Sequence, residues 1–597
     1  MHALRIAARR EIRDYLRQAY GASLIDGDQL AVEYPNRRFD VGWRFQVPFE
    51  SGLKRRVDVL LREDLPFRAP SISLVDRPPF LAWPHVESDG LLCLLGDAST
   101  TDALQPSAVL TQLLEDAFEL IAVSERGENI DHFKDEFLTY WNHATEIPGV
   151  PYYSLLDGSE RTRVIQCWVT NDAVYVGDSS DAVFTWLRRR FGDLPKSSKT
   201  TAGLLLWCPD ILLPDQYPKI TADVLALARQ IDCDQLLMRL AAQDPVRIPI
   251  VLGFRAQHRR CFAALTIHPR RDLNFYGHKR QVVGRGFRAT SAPAGLKAIQ
   301  YLSSARAIQK SNVERVDHDW IHGRDMDVRQ EKLKAVRVVL FGCGSLGSFV
   351  AHQLAMAGVG DICLVDPEEL KAANVGRHRL GMRQIGRRKA KALADELQAD
   401  FPHLSIRGFV MSCQEFRREH PDEWDRYPLV LSLTGDWAAE SHLNTSHLES
   451  RNDRRIIYGW TEPHACAGHA VLVAKQGGCL ACHFDGVGKF DGALSIWESE
   501  TRLNEPACGA LFQPYGPVEL SGTVSLISNL ALECAISSRT QSTHQMWIGS
   551  TAVVKENGGT WNEKLLLRFG SGGRDNLRLN ADWDRNENCG FCGRCQE

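Results

Sequence analysis

Three glycines in the second half of the chain have the spacing of a nucleotide-binding loop. Gly342, Gly344 and Gly347 follow an apolar stretch that we interpret as a buried parallel strand, and a helical segment follows them. Glycines at this spacing allow a tight turn and close approach of a phosphate, and the helix start offers unpaired N–H groups. A second strand ends at Asp366, where a carboxylate can accept hydrogen bonds from ribose hydroxyls. The pattern predicts a nucleotide site in a βαβ unit.

Cations and a second carboxylate downstream favour a triphosphate over a dinucleotide. Asn374, Arg377 and Lys389 follow the second strand closely. A hydride-transfer enzyme has no need of such charge, whereas departing pyrophosphate builds negative charge on its bridging oxygen. Asp436 follows a further predicted strand, and a carboxylate there suits Mg²⁺. The alternative is a set of basic surface loops and a helix-capping aspartate; we favour ATP with Mg²⁺.

Two Cys-x-x-Cys pairs predict a metal site. Cys479 with Cys482, and Cys589 with Cys592, each place two sulfurs on one turn, so that together they complete a tetrahedral site for Zn²⁺. Because the pairs are far apart in sequence, the metal would tie the end of the chain to the domain, which indicates a structural role. Cys595 makes Cys592 and Cys595 a competing second pair, and a redox dithiol is a further alternative. We favour Cys589 and Cys592.

The combined motifs resemble the ThiF/MoeB and ubiquitin-activating adenylation domains over roughly residues 330–597. The resemblance implies that the residues named above hold ribose, phosphates and Mg²⁺ in this order: Asp366, then Asn374, Arg377 and Lys389, then Asp436. The resemblance also implies catalytic roles for Arg377 and Lys389. It further implies a homodimer in which each ATP site receives an arginine from the partner, with Arg324 or Arg329 as candidates.

Cys508 is a candidate acceptor thiol. It lies on a stretch with flanking proline and glycine, upstream of a long apolar helix predicted around residues 525–536. In ThiF-type enzymes the loop before such a helix carries the acceptor cysteine. An acyl-adenylate is a reactive mixed anhydride, so a nearby thiolate would capture the acyl group as a thioester. The alternative is a small buried residue with no chemical role.

The N-terminal region offers a second thiol. A proline-rich bend over residues 65–72, then Trp83-Pro-His85 and Cys93, resembles the ubiquitin-conjugating fold over most of residues 1–145. In that family the active cysteine follows the asparagine of a His-Pro-Asn motif by eight residues. Here His85 stands in the asparagine position and Cys93 follows by eight residues. Whether His85 supports an oxyanion is open, and a purely structural cysteine at position 93 is the alternative.

Composition excludes several classes of protein. The chain has 597 residues, 44% hydrophobic and 24% charged residues, and a net charge of -3. These values fit two to four globular domains and give no reason to expect direct nucleic-acid binding. No apolar run approaches the ~20 residues that span a bilayer, and the N-terminus lacks the apolar core of a signal peptide. We expect a cytoplasmic protein without a membrane partner.

The fold class that we expect is a multidomain chain of α/β and α+β parts. It comprises a ubiquitin-conjugating-like α+β domain over 1–150, an α+β linker domain over 151–315, and a ThiF/MoeB-like Rossmann-type adenylation domain with structural zinc over 316–597. The linker carries no catalytic motif. It either recognises the substrate or sets the distance between the two thiols.

The order of the regions resembles the bacterial fusion enzymes of CBASS antiphage operons. The resemblance implies that the C-terminal carboxylate of a cGAS/DncV-like nucleotidyltransferase is activated as an acyl-adenylate. The acyl group then passes through Cys508 and Cys93 to an amine of a target protein, typically a lysine. Transfer between the thiols, within a chain or across a dimer, gains from their proximity. The alternatives are a sulfur-carrier-protein adenylyltransferase of cofactor biosynthesis and a nucleotide-switched binding protein.

Overall fold

Contacts divide the chain into two compact units. The computed structural model describes residues 2–49, 52–94, 101–195, 198–243, 245–268, 294–450, 453–504, 511–537, 539–568 and 575–593. The first unit comprises Met1–Tyr153, Gly158–Val176 and Thr200–Glu314, and the second comprises Ser154–Asp157, Gly177–Lys199 and Arg315–Glu597. Cys508 and Cys595 lie outside the described residues. In the described part of the chain, no helix is both long and apolar enough to cross a membrane.

The first unit begins with a four-stranded antiparallel sheet in the order β1-β2-β3-β4, covered by helices. Its elements are α1 (His2–Tyr20), β1 (Ser23–Ile25), α2 (Gly27–Glu33), β2 (Val41–Pro48), β3 (Lys54–Leu61), β4 (Ser71–Leu74), α3 (Pro106–Arg126), α4 (His132–Asp135) and α5 (Phe137–His143). Helix α1 buries Ala8, Ile12 and Leu16, which share one face at i, i+4 spacing. This face and that of α3 complete a core over the sheet.

The middle region forms a closed barrel of seven strands in the order β10-β11-β5-β7-β6-β8-β9. Its elements are β5 (Tyr152–Ser154), β6 (Arg163–Val169), β7 (Val174–Gly177), α6 (Ser180–Phe191), β8 (Thr201–Trp207), α7 (Thr221–Gln230), α8 (Asp234–Ala242), β9 (Ile248–Ala256), β10 (Arg259–Ile267), α9 (Ala294–Leu302) and β11 (Gln309–Arg315). Phe137 and Trp141 of α5 pack into the same core as the barrel strands. Helix α6 instead belongs to the second unit, where Arg189 donates to the carbonyl oxygens of Pro402 and Leu404. The boundaries expected at 150/151 and 315/316 stay predictions.

The second unit is built on an eight-stranded sheet in the order β14-β13-β12-β15-β16-β17-β21-β23. The first five strands are parallel and the last three antiparallel. Strand β13 is buried at every position, as expected where helices cover both faces of a parallel sheet.

The α and β elements of this unit follow in chain order: α10 (His318–Gly323), α11 (Gln330–Ala335), β12 (Arg337–Phe341), α12 (Ser345–Met356), β13 (Asp361–Val365), α13 (Lys389–Asp400), β14 (Ser405–Phe409), α14 (Cys413–Glu419), α15 (Pro421–Asp425), β15 (Leu429–Ser432), α16 (Trp437–Glu449), β16 (Arg455–Thr461), β17 (Ala467–Val473), β18 (Ser495–Trp497), β19 (Leu503–Asn504), β20 (Leu511–Phe512), α17 (Pro517–Ile536), β21 (Thr543–Ile548), α18 (Thr551–Glu556), β22 (Gly559–Trp561), α19 (Glu563–Arg568) and β23 (Leu577–Asp582). The apolar helix expected around residues 525–536 is α17, which begins earlier, at Pro517.

Candidate functional site

The glycine loop joins β12 to α12, and its three glycines have different surroundings. Gly342 has a φ of +87°, and a Cβ there would lie 2.6 Å from the carbonyl oxygen of Leu433. At Gly347 a Cβ would lie 1.8 Å from the carbonyl oxygen of Gly342, so a larger residue would force the turn open. A Cβ at Gly344 would meet nothing within 4 Å. Gly344 therefore leaves the space that a phosphate needs at the start of α12.

A cavity of about 200 Å³ lies at the carboxyl ends of the parallel strands. Gly342, Gly344, Asp366 and Asp436 line it, together with residues 411–414. The sheet order places β13 on one side of β12 and β15 on the other. The strand order therefore reverses beside β12, which makes this position a topological switch point. Ligands of open α/β sheets bind at such a switch point.

Asp366 is held rigidly at the end of β13. Its Oδ2 accepts from the N–H of Cys343, and its Oδ1 accepts from the N–H of Glu368, both at 2.7 Å. Burial raises the pKa of the Asp366 carboxyl, and the two backbone donors oppose that rise. Each oxygen keeps a second lone pair for a ligand hydroxyl.

The three residues expected at the phosphates lie on elements that follow Asp366, and none of them lines the cavity. Lys389 begins α13, is buried, and places its Nζ 2.5 Å from Oε2 of Glu368. Arg377 donates to the carbonyl oxygen of Gln513 at 2.8 Å, and its guanidinium lies 4.9 Å from the ring centre of Tyr515. Asn374 accepts from the N–H of Lys371 through Oδ1 at 2.9 Å. Their contact with phosphate stays a prediction.

The carboxylate expected at Mg²⁺ caps helix α16. Asp436 is exposed at the cavity, and its Oδ1 accepts from the N–H of Ala438 at 2.9 Å. One turn further along α16, buried Glu440 accepts from the hydroxyl of Thr434 at 3.2 Å. Burial raises the pKa of Glu440 to about 7. An exposed carboxyl group that lines the cavity therefore caps α16, and a buried one that does not line it lies in the first turn of that helix.

The four paired cysteines come together. The Sγ atoms of Cys479, Cys482, Cys589 and Cys592 all lie within 4.8 Å of one another, and all four residues are buried. The separations are 3.7 Å between Cys479 and Cys589 and 3.5 Å between Cys482 and Cys592. A tetrahedral ion with Zn–S bonds of ~2.3 Å requires sulfurs ~3.8 Å apart. The cluster therefore fits a zinc ion.

Neighbouring polar groups orient these thiols. Fully buried Asn444 donates to Sγ of Cys479 at 3.6 Å and accepts from the N–H of Leu480 at 2.8 Å. The indole N–H of Trp583 donates to the carbonyl oxygen of Cys479 at 2.8 Å. Such outer contacts hold metal ligands in position. Because α16 carries Asn444 and is capped by Asp436, one helix connects the nucleotide cavity to the cysteine cluster.

In the first unit, Cys93 is exposed and lies just after β4 and the loop that contains His85. Its N–H donates to the carbonyl oxygen of His85 at 2.9 Å. It lines a cavity of about 510 Å³. Trp83, which replaces the family histidine, packs against the sheet core, with the Arg55 guanidinium 4.9 Å from its ring centre.

His85 is already engaged by other side chains. Its φ is +61°, and its N–H donates to the hydroxyl of Tyr140 at 2.9 Å. Nε2 lies 2.9 Å from Nδ1 of His132, and Nδ1 lies 3.7 Å from Oε2 of Glu136. Burial lowers the pKa of His85, and Glu136 opposes that effect. To donate to an oxyanion, the ring would have to exchange one of these contacts.

Several residues of these sites were not expected from the sequence. Glu368, Glu440 and Tyr515 contact expected residues or their neighbours, and Asn444 contacts the cysteine cluster. Glu440 follows Asp436 by one helical turn, a spacing that predicts neighbouring positions on a helix. Of the two candidate partner arginines, Arg329 pairs with Asp327 at 2.6 Å, and Arg324 is the left-handed C-cap of α10.

Two separate stretches of the chain match known protein families. Residues 318–515 match the ThiF family, and residues 22–148 match prokaryotic E2 family B. The ATP-dependent ubiquitin transferase-like protein Cap2 of Pseudomonas aeruginosa (strain BWHPSA011 / Pa011) is 24% identical over 70% of this chain and 73% of its own length. The uncharacterized protein y4oA of Sinorhizobium fredii is 39% identical over 50% of this chain and 49% of its own. The crystal structure of E. coli MccB with MccA-N7isoASN is 16% identical, covers 45% of this chain and 69% of that chain, and has a TM-score of 0.31.

The chain is a ubiquitin-activating and ubiquitin-conjugating type of transferase, with a ThiF-type adenylation domain toward its C-terminus and an E2-like domain at its N-terminus. It is a homologue of the Cap2 ATP-dependent ubiquitin transferase-like proteins. The expected fold class and the expected resemblance are thereby confirmed.

Proposed function

We propose that the chain activates the C-terminal carboxylate of a protein with ATP and conjugates that protein to an amine. The acyl group passes from AMP to Cys508, then to Cys93, and then to a lysine of a target protein. The observation that carries the proposal is the presence, on one chain, of a glycine-loop cavity with buried Asp366 and of an exposed cysteine in an E2-family domain.

In the adenylation step, a carboxylate oxygen of the substrate attacks the α-phosphorus of ATP and pyrophosphate leaves. Asp366 accepts from the ribose hydroxyls, and the N–H groups at the start of α12 face the phosphates. Lys389 and Arg377 neutralise the charge that builds on the departing pyrophosphate. Lys389 exchanges its contact with Glu368, whose carboxylate is largely exposed, for a phosphate oxygen.

Asp436 and the cysteine cluster have supporting roles in this proposal. Asp436 is exposed at the cavity and would hold Mg²⁺ through its carboxylate; bound Mg²⁺ neutralises charge on the triphosphate. The four cysteines hold a zinc ion that is closed to substrate, because all four are buried. The thiol relay therefore involves neither metal site.

In the relay, the thiolate of Cys508 attacks the acyl carbon of the adenylate and AMP leaves. The thiolate of Cys93 attacks the resulting thioester and expels Cys508 as a thiolate. A neutral lysine amine then attacks the thioester on Cys93, an amide bond forms, and the Cys93 thiolate leaves. The exposure of Cys93 supports a role in exchange with large partners.

For the substrate we propose a cGAS/DncV-like nucleotidyltransferase and a role in antiviral defence. The support is the similarity to the Cap2 proteins over most of the chain. We also propose that the enzyme works as a homodimer through its adenylation domain, in the cytoplasm. The target amines belong to other proteins.

Trapped intermediates test the relay. Full-length protein is incubated with ATP, Mg²⁺ and a purified nucleotidyltransferase of this type, and thioester and amide adducts are mapped by mass spectrometry. We expect Cys508→Ala to abolish both thioesters and Cys93→Ala to leave the Cys508 thioester but no conjugates, while half-buried Cys261→Ala serves as the control. Normal conjugates from Cys93→Ala would refute the relay. Thiocarboxylate on a small carrier protein, without conjugates, would favour the sulfur-carrier alternative.

A further inference from the structure

The cavity beside Cys93 has an unbalanced charge. Three of its lining residues are arginines, Arg37, Arg62 and Arg68, and two are acidic, Asp64 and Glu87, which leaves an excess of one positive charge. The apolar side chains of Phe67 and Leu94 also line it. Its volume of about 510 Å³ falls within the range of about 300–1,000 Å³ that is typical of ligand pockets. An amphipathic cavity of this size next to a nucleophile is suited to a short peptide segment.

Two of the three arginines already have carboxylate partners. Arg37 pairs with Glu87 and with Asp89, the latter at 2.9 Å. Arg68 lies 3.6 Å from a carboxylate oxygen of Asp64. These pairs offset the charges of Arg37 and Arg68, and Arg62 is the third arginine of the lining.

Arg62 is different. Among the described residues no carboxylate lies within ion-pair distance of its guanidinium, and its Nε is buried without a hydrogen-bond partner. The ring centre of Phe39 lies 5.1 Å from its guanidinium carbon. Burial, followed by the charges of Arg68 and Arg37, lowers the pKa of Arg62, and the charge of Asp64 opposes that effect. A carboxylate from outside would remove both the repulsion and the unsatisfied donor.

We propose that Arg62 binds an acidic side chain in the C-terminal tail of the acyl donor while that tail is held as a thioester on Cys93. This inference rests on the proposed function of Cys93. The donor is favoured over the acceptor because its last residues are bonded to Sγ and must lie beside the cavity. Tethering raises the local concentration of the carboxylate, so that one charged contact suffices to orient the tail.

Peptide thioesters test the proposal without ATP or Cys508. Full-length Cys508→Ala protein is mixed with the mercaptoethanesulfonate thioester of acetyl-Leu-Glu-Leu-Gly or of acetyl-Leu-Gln-Leu-Gly. In each case the Cys93 thiol loses its proton, its thiolate attacks the acyl carbon, and the expelled mercaptoethanesulfonate thiolate takes up a proton in turn. Loading of Cys93 is followed by mass spectrometry. We expect the glutamate peptide to load about fivefold faster, as one partly exposed arginine–carboxylate pair allows.

Variants assign the preference to one side chain. Arg62→Gln should abolish the preference, and Arg62→Lys should restore part of it. Arg38→Gln removes a charge from an exposed neighbour that does not line the cavity, and it should keep the full preference. Raising the salt concentration should weaken the preference in the wild-type protein. Equal loading of the two peptides by the wild-type protein, or an unchanged preference in Arg62→Gln, would overturn the inference.

A second arm separates the donor from the acceptor. Cys93 is loaded with the glutamine peptide, and lysine peptides with or without a neighbouring glutamate are added; we expect equal rates of amide formation. A faster reaction of the acidic acceptor that depends on Arg62 would overturn the assignment to the donor. If Cys93 accepts neither thioester, the relay itself fails, and the inference fails with it. Loading without preference refutes the inference alone.

Discussion

At the nucleotide cavity, polar lining residues are held by partners within the protein: Asp366 accepts two backbone N–H groups, and Glu368 pairs with Lys389. Around Cys93 the thiol is exposed, and Arg62 keeps a buried donor without a hydrogen-bond partner. The first arrangement is preorganised for a ligand that never varies, which reduces the cost of binding and of charge development. The second leaves a guanidinium donor available, which we propose binds a carboxylate of the acyl donor.

The largest effect is expected from removal of the metal that we propose for the cysteine cluster, and it tests whether the two regions are independent. Cys592→Ser should lose bound zinc, measured by elemental analysis, and ATP–pyrophosphate exchange, because structural zinc contributes about 10–16 kcal/mol to folding in small domains. Loading of Cys93 from a peptide thioester should persist, because Cys93 lies in the other unit. Cys261→Ser is the control. Simultaneous loss of both activities would show that the two regions depend on one another.

Substitution of Lys389, which we propose to contact phosphate, should affect the nucleotide site and leave the Cys93 site unchanged. Lys389→Ala should slow ATP–pyrophosphate exchange by about 10²–10³, the usual loss when one preorganised charge partner of a transition state is removed. Lys391→Ala, on the same helix but exposed and paired with Asp395 at 2.9 Å, should change the exchange rate little. Equal effects of the two variants would contradict the role of Lys389.

The pH dependence of stability should report the buried carboxyl near Asp436. Burial raises the pKa of Glu440 from 4.5 to about 7, so the folded state holds the proton more tightly than the unfolded state between these values. Stability from this group therefore falls as pH rises from 4.5 to 7, by about 3 kcal/mol. Glu440→Gln should raise Tm more at pH 8 than at pH 5. An equal change of Tm at both pH values would exclude a raised pKa.

Substitutions of two glycines should separate the stability of the adenylation domain from its affinity for ATP. Gly347→Ala places a methyl group against the carbonyl of Gly342 and should cost about 1–3 kcal/mol of stability. Gly344→Ala meets no atom within 4 Å and should keep the wild-type Tm but bind ATP more weakly, because the methyl occupies the phosphate space. Calorimetry and ATP titration measure the two quantities. The reverse pattern would mean that the loop binds its ligand elsewhere.

The smallest change in stability is expected for a substitution in the cavity beside Cys93. Phe67 lines the Cys93 cavity but is 56% exposed, so Phe67→Ala should alter the free energy of unfolding by less than about 0.5 kcal/mol. Denaturant titration of the full chain measures the change. A loss as large as that of Gly347→Ala would show that the Cys93 cavity is packed as tightly as the nucleotide site.

Local patterns predict the elements of the first site well. The strand, glycine loop and helix from Arg337 to Met356 are contiguous, and backbone contacts within or beside the loop explain Gly342 and Gly347. The two cysteine pairs could be combined from sequence because zinc geometry accepts few other partners. Their predicted chemistry follows from residue type and spacing alone.

Contacts between distant segments could not be predicted in the same way. Asn444 reaches Cys479 only because α16 packs beside the cysteine cluster, and Arg377 meets Gln513 across 136 residues. The middle region was expected to be an α+β domain, but closure of its barrel depends on which strands pair. Arg62 has no local signal, since the burial of its Nε without a hydrogen-bond partner among the described residues is a property of the folded surroundings.

The cysteine cluster also changes the connectivity of the chain. With a zinc ion bound to Cys479 and Cys589, 110 residues apart, the polypeptide between them becomes a ring closed by metal–sulfur bonds. Cys508 lies inside that ring. A protease that cut the ring once would leave two pieces still joined through the ion, and a chelator would remove that link. The thiol that we propose for the first transfer would therefore belong to a segment of the sequence anchored at both ends by one atom.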